Sequence, residues 1–148
     1  MKQLTAILLG ISMLFLASLA MAAGKVEVRD AWIPEAPPVA GVMAAYFKIE
    51  NHGNKPVKII GASCAAFKNT MMHKTIEKDG MSRMVHLDSL TVDPKSSVTF
   101  RRGGMHLMLM QPKHAIKKGD KVAITLMTAD KHKIHFTAVV KAATLGND

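Results

Sequence analysis

A single cysteine, Cys64, stands in a chain of 148 residues. No internal disulfide can close, so no disulfide framework holds this fold. The same scarcity excludes a cysteine-based zinc finger, which needs at least two thiolates. Aromatic residues are few: five Phe, one Trp and one Tyr. Acidic residues are also short, 11 against 20 Lys and Arg, and the formal charge is +9. That charge is dispersed and has little aromatic interleaving, which argues against nucleic acid and suits an acidic protein or an anionic surface. A hydrophobic share of 49% with scattered charge excludes disorder. Repeats and low-complexity tracts are lacking, and no second apolar run of spanning length follows the first 22 residues.

That first run has its own logic. Lys2 precedes an apolar stretch from Leu4 to Leu19, and Ala20-Met21-Ala22 follows. A basic start, an apolar stretch and a small-x-small end describe a secretory signal peptide. Cleavage is expected after Ala22, with Ala20 as the alternative. An uncleaved anchor is the competing reading, since about 20 apolar residues can span a bilayer, but the Ala-x-Ala end favours cleavage. No cysteine lies near the cut, so a lipid anchor is not supported. Residues 1–22 are thus read as a leader and residues 23–148 as one exported domain of about 126 residues and charge near +8. It is expected in the periplasm, soluble and without stable membrane insertion. In an oxidising compartment the lone Cys64 is expected to be buried or tolerated.

The exported part reads as short strands. Val26 and Val28 alternate toward Trp32, and Pro34 to Pro38 form a loop, because proline cannot donate to a ladder. Val42 to Glu50 ends at the turn signal Asn51-His52-Gly53-Asn54, and Val57 to Phe67 reads as another apolar strand. Met71–Lys78 and Met81–Leu87 flank Asp79-Gly80, the dipeptide of a type I′ hairpin. Ser97–Arg101, Met105–Met110, Val122–Met127 and Ile134–Val140 complete about nine strands, and no segment reads as a long helix. The expectation is an all-β Greek-key sandwich or barrel.

Two segments carry the chemistry. In Met105-His106-Leu107-Met108-Leu109-Met110, side chains of a strand alternate faces. His106, Met108 and Met110 share one face, and Met105, Leu107 and Leu109 the other. In the hairpin, a two-residue turn sets Lys78 opposite Met81, hence His73 opposite His86 and Thr75 opposite Met84. His73 and Met84 are then diagonal neighbours, roughly 7–8 Å apart at Cα. Taken singly, each methionine reads as a core gap-filler and each histidine as a satisfied core residue. Taken together, His73, Met84, His106 and Met108 form a neutral set of two imidazoles and two thioethers. Thioether sulfur suits Cu(I), whereas Cu(II) prefers nitrogen and oxygen, and zinc favours thiolate, imidazole and carboxylate.

Ten residues separate His73 from Met84, twenty-one separate Met84 from His106, and one separates His106 from Met108. This spacing resembles the His-x10-Met-x21-His-x-Met signature of the periplasmic copper chaperones of the PCu(A)C type. Ala31-Trp32, Ala44-Ala45-Tyr46 before Glu50-Asn51, Asp79-Gly80, and Gly103-Gly104 ahead of His106 resemble that family too. The likeness runs from about Val28 to Val140. It implies a cupredoxin-like Greek-key β-sandwich and one Cu(I) per monomer held near the surface by the four residues. It also implies delivery to the CuA-bearing subunit of cytochrome c oxidase, with a Sco-type thiol protein as a further partner. No Met- and His-rich extension follows Val140, so the second, Cu(II)-type site that some members carry there is not expected.

Met72, His86 and Met110 are candidates to assist the four; strand parity points Met72 away from His73. His52, His114, His132 and His135 read as solvated surface residues. Three other functions compete. General copper supply or tolerance fits the same residues. A blue-copper electron carrier needs a Cys thiolate with two His and a weak axial group, and Cys64 lacks that spacing. A metal-free β-sandwich binding module would use its methionines as core, and Met-to-Leu changes would leave it functional. An enzyme is not expected: no Ser-His-Asp arrangement, paired carboxylates or general base accompanies the set.

Overall fold

The computed structural model describes residues 26–143; the expected leader at 1–22 lies outside the described residues. Ten strands follow one another: β1 (Val26–Pro34), β2 (Val42–Asn51), β3 (Val57–Cys64), β4 (Phe67–Lys78), β5 (Met81–His86), β6 (Leu90–Val92), β7 (Ser96–Phe100), β8 (Met105–Pro112), β9 (Lys121–Thr128) and β10 (Lys133–Lys141). No helix occurs among the described residues. The ladder order is β5-β4-β8-β7-β2-β1-β10-β9-β3-β6, and β8 also pairs with β2. Strands β3 and β4 lie near opposite ends of that order yet pack on each other. The ladder is therefore folded over a shared core rather than flat, as the all-β, cupredoxin-like expectation requires.

The core follows from period-two alternation. Met43, Ala45, Phe47 and Ile49 of β2, Leu107 and Leu109 of β8, Ile124 and Leu126 of β9, and Ala138 and Val140 of β10 are all buried. Phe47 stacks on Phe100 at 4.3 Å and tilts against Phe136 at 4.9 Å. Each fully buried large apolar side chain stabilises the fold by about 1.5–3 kcal/mol, so this stripe fixes which parity of β8 and β4 faces inward. The other parity is left for the site. Cys64 is buried, and burial pushes its thiol pKa up, so it is held as an inert thiol.

Three local features depart from the sequence expectation or refine it. The strand expected over Val57–Phe67 stops at Cys64, and β4 begins at Phe67 after the Ala65-Ala66 turn. Up to Cys64 the chain pairs with β9, whereas Phe67 pairs with Pro112 of β8; one straight strand cannot serve both partners. The three-residue β6 is too short to show periodicity, yet it pairs Leu90 with Ile59 and Val92 with Val57. In β1 the register with β2 shifts between Arg29 and Trp32, and Asp30 takes φ 54°. That bulge turns Trp32–Pro34 onto β10 in parallel and carries the chain after β1 toward the site.

Candidate metal centre

The hairpin that supplies half of the candidate donors forms as its turn dictates. Asp79 and Gly80 have φ 54° and 73°, the two positive values a type I′ turn needs. His73 consequently faces His86, Thr75 faces Met84 and Lys78 faces Met81. The other half comes from β8, which lies against β4 with His73 opposite His106 and Met71 opposite Met108. Three imidazoles thus stand in one row across β5, β4 and β8. Ring centroids are 5.5 Å apart for His73 and His86, and 5.9 Å for His73 and His106.

Met84, His106 and Met108 line one cavity of about 240 Å³. Its remaining wall is Pro34, Glu35 and Ala36 after β1, with Val42, Met43 and Ala44 of β2. Ala44 is the direct partner of Met108, and its small side chain leaves the thioether room. With His73 beside His106, the structure brings the four sequence-predicted residues to one face. They are not equivalent there. His106 is only 6% exposed, whereas Met84, on the edge strand, is 63% exposed.

The two imidazoles are prepared in different ways. His106 Nδ1 lies 3.3 Å from the Gly104 carbonyl oxygen. With Nδ1–H donating there, the Nε2 lone pair is left for a metal. The same carbonyl accepts the Thr75 backbone N–H at 3.0 Å, tying β4 to β8 beside the site. His73 Nδ1 is buried without any hydrogen-bond partner. Such a group costs free energy unless something binds it, and a metal ion is one group that would. Burial first, then the neighbouring His106 and His86, hold the His73 pKa below its usual value, which keeps the ring neutral and able to ligate. The donor set of two neutral imidazoles and two thioethers fits a soft monovalent ion.

The auxiliary candidates separate cleanly. Met72 is 2% exposed and faces Leu107 in the core, as its parity requires. Met110 shares the face of Met108 but lies one step further, opposite Asn69 and Val42. His86 sits in the imidazole row. Sequence reasoning missed Met71, which shares the face of His73 and directly opposes Met108; counting alternate positions back from His73 would have found it.

Elsewhere, His52 is exposed, as expected, and has acidic neighbours. Its Nε2 lies 3.4 Å from Glu27 and 3.5 Å from Glu50, and these three offer donor atoms close enough for a metal. Both carboxylates are already engaged, Glu27 by Arg29 at 2.9 Å and Glu50 by Lys48 at 2.6 Å. Lys48 foremost holds the Glu50 pKa low. This is an ion-pair network on β1 and β2, already neutralised by its own cations. His114, His132 and His135 are exposed, as expected. A larger cleft of about 470 Å³, lined by Lys74, Thr99, Arg101, Gly104 and Met105, carries cations but only one soft donor.

Residues 26–140 match the family described as putative lipoprotein LpqE-like. A putative lipoprotein, Lxx21020, of Leifsonia xyli subsp. xyli is 31% identical over 132 residues, 84% of this chain and 78% of that protein. Among solved structures, the Cu(I) form of DR1885 from Deinococcus radiodurans is 32% identical, with a TM-score of 0.62 and 76% of each chain covered. The copper-bound PCuAC domain of PmoF2 shares the fold at a TM-score of 0.67 and 22% identity, covering 80% of this chain and 94% of that one. The chain belongs to the LpqE-like family, and the PCu(A)C-type likeness drawn from its spaced His and Met residues holds.

Proposed function

We propose that this member of the LpqE-like family is a Cu(I) carrier of the periplasm, holding one ion per monomer through His73, Met84, His106 and Met108. The observation that carries the reading is the shared cavity: Met84, His106 and Met108 line it, and the His73 ring lies 5.9 Å from that of His106. The ligands offer no net charge, so the ion is retained by softness and geometry alone. This suits a cargo that is to be released.

Delivery would proceed by ligand exchange from the exposed side. Met84 is the outermost donor, on an edge strand paired on one side only. An incoming thiolate displaces it first, while His106, buried and braced by the Gly104 carbonyl, is the last to let go. The chain as a whole is basic, with a formal charge of +9. That charge steers an acidic acceptor toward the site. The acceptor we assign is the CuA-bearing subunit of cytochrome c oxidase, whose metal is thiolate-bound, with a Sco-type thiol protein acting beside it.

The test is anaerobic transfer from the Cu(I)-loaded protein to an isolated, reduced apo-CuA domain, read as copper content of each protein after separation. Transfer that slows as salt is raised supports the reading. Retention of copper by the carrier in the presence of excess acceptor overturns the assignment of the acceptor, and a salt-independent rate overturns the steering.

A further inference from the structure

We propose that His86 is a third nitrogen donor on this face, and that His73, His86 and His106 together hold a divalent ion, Cu(II) ahead of Zn(II). The proposal rests on the Cu(I) reading above for the location of the site, but its ligand set and its ion are different. The juxtaposition is set by backbone register. His73 is the cross-strand partner of His86 on one side and of His106 on the other, so the three rings form an unbroken row at 5.5 and 5.9 Å. The central ring holds a buried Nδ1 with no partner. The outer ring sits on an edge strand whose residues are all exposed.

The chemistry divides the face by ligand softness. Thioethers suit Cu(I); imidazoles suit Cu(II), and among divalent ions a nitrogen set binds Cu(II) above Zn(II). Met84 and His86 lie two residues apart on the same side of β5, one column apart against β4. A Cu(I) ion draws on Met84 and Met108, and a Cu(II) ion draws on His86 in their place, with His73 and His106 common to both. Water completes the divalent shell, as it does where three histidines hold a metal. In their present orientations the three rings do not bring all their nitrogens within 4.8 Å of one another. His86 is the ring that turns. It is half exposed; besides the edge-on contact with the His73 ring, its Nε2 approaches the almost fully exposed Asp88 at 3.4 Å, which favours a ligating Nδ1 without locking the side chain.

The experiment titrates the whole apo chain with Cu(II), and separately with Zn(II), and compares wild type with His86→Gln. Electron paramagnetic resonance counts the nitrogens on Cu(II). Three nitrogens in wild type and two in His86→Gln, with Cu(II) affinity at least tenfold lower and Zn(II) weaker than Cu(II) in wild type, are expected. Cu(I) affinity, measured anaerobically on the same proteins, should differ less than twofold. Equal nitrogen counts and equal Cu(II) affinities in the two proteins overturn the proposal, as does an equal loss of Cu(I) and Cu(II). Wild-type protein supplies a check free of any folding defect: substoichiometric Cu(II) should broaden the His86 ring signals in the NMR spectrum along with those of His73 and His106, and sharp His86 signals overturn it. Failure of the Cu(I) reading shows elsewhere, as unchanged Cu(I) binding when Met84 is replaced.

Discussion

Replacing Met84 with leucine isolates a single sulfur atom. The side chain is 63% exposed on an edge strand, and leucine matches methionine closely in volume. Surface changes of this kind alter stability by no more than about 0.5 kcal/mol, so the apo fold should be unaffected. Removing one of four donors costs more than removing an outer-shell partner, which typically lowers metal affinity about 10–100-fold. The expected loss of Cu(I) affinity is therefore about 100-fold, or about 2.7 kcal/mol. The assay is anaerobic competition with a chromophoric Cu(I) chelator, alongside thermal melting of the apo protein. Met81 provides the control. It lies in the same hairpin at 54% exposure, three residues from Met84 and hence on the opposite face, so Met81→Leu should change neither quantity. If Met84→Leu binds Cu(I) within twofold of wild type, or loses no more than Met81→Leu does, the ligand reasoning is refuted.

Met72→Leu should leave Cu(I) affinity unchanged, because Met72 faces the core; a loss equal to that of Met84→Leu in the same competition would put the faces of β4 in error. Leu107→Ala, at a site fully buried between layers, should cost about 2–5 kcal/mol in chemical denaturation, and a cost well below about 2 kcal/mol, the low end of that range, would mean the core stripe is misplaced. Gly80→Ala forces φ near +73° on a residue with a Cβ and should destabilise the apo protein by about 1 kcal/mol, read as a lowered denaturation midpoint. The pH dependence follows from the depressed His73 pKa. The folded state takes up its proton later than the unfolded state, so this group's contribution to stability is full above pH of about 6.5 and is lost as pH falls through the lower folded value. Apo wild type should therefore lose more stability than His73→Asn between neutral and mildly acid pH, and an equal or smaller loss would contradict the assigned burial.

The parts of the molecule that could be read in the sequence are those governed by short-range rules. Asp79-Gly80 fixed the hairpin register, so the pairing of His73 with His86 and Thr75 with Met84 follows from a turn type alone. The alternation in Met105–Met110 likewise separated His106 and Met108 from Leu107 and Leu109. What joins the two halves was not readable. The contact of His73 with His106 is a long-range strand pairing, and no local signal states which strand β8 will choose. The cavity wall at Pro34–Ala36 depends on the bulge at Asp30, which an Asp in an apparently regular strand does not announce. The break between β3 and β4 was not legible because Ala65-Ala66 has none of the Gly, Pro, Asn, Asp or Ser that mark a turn. His52 is exposed, as its turn implies, but its approach to Glu27 on β1 depends on a strand pairing that the sequence does not state.

X-ray absorption at the copper edge of the Cu(I)-loaded protein counts the atoms around the ion directly. Two sulfur and two nitrogen neighbours, falling to one sulfur in Met84→Leu, is the outcome that the His73, Met84, His106 and Met108 assignment predicts. A shell of nitrogen and oxygen alone, or a sulfur count untouched by that substitution, contradicts it.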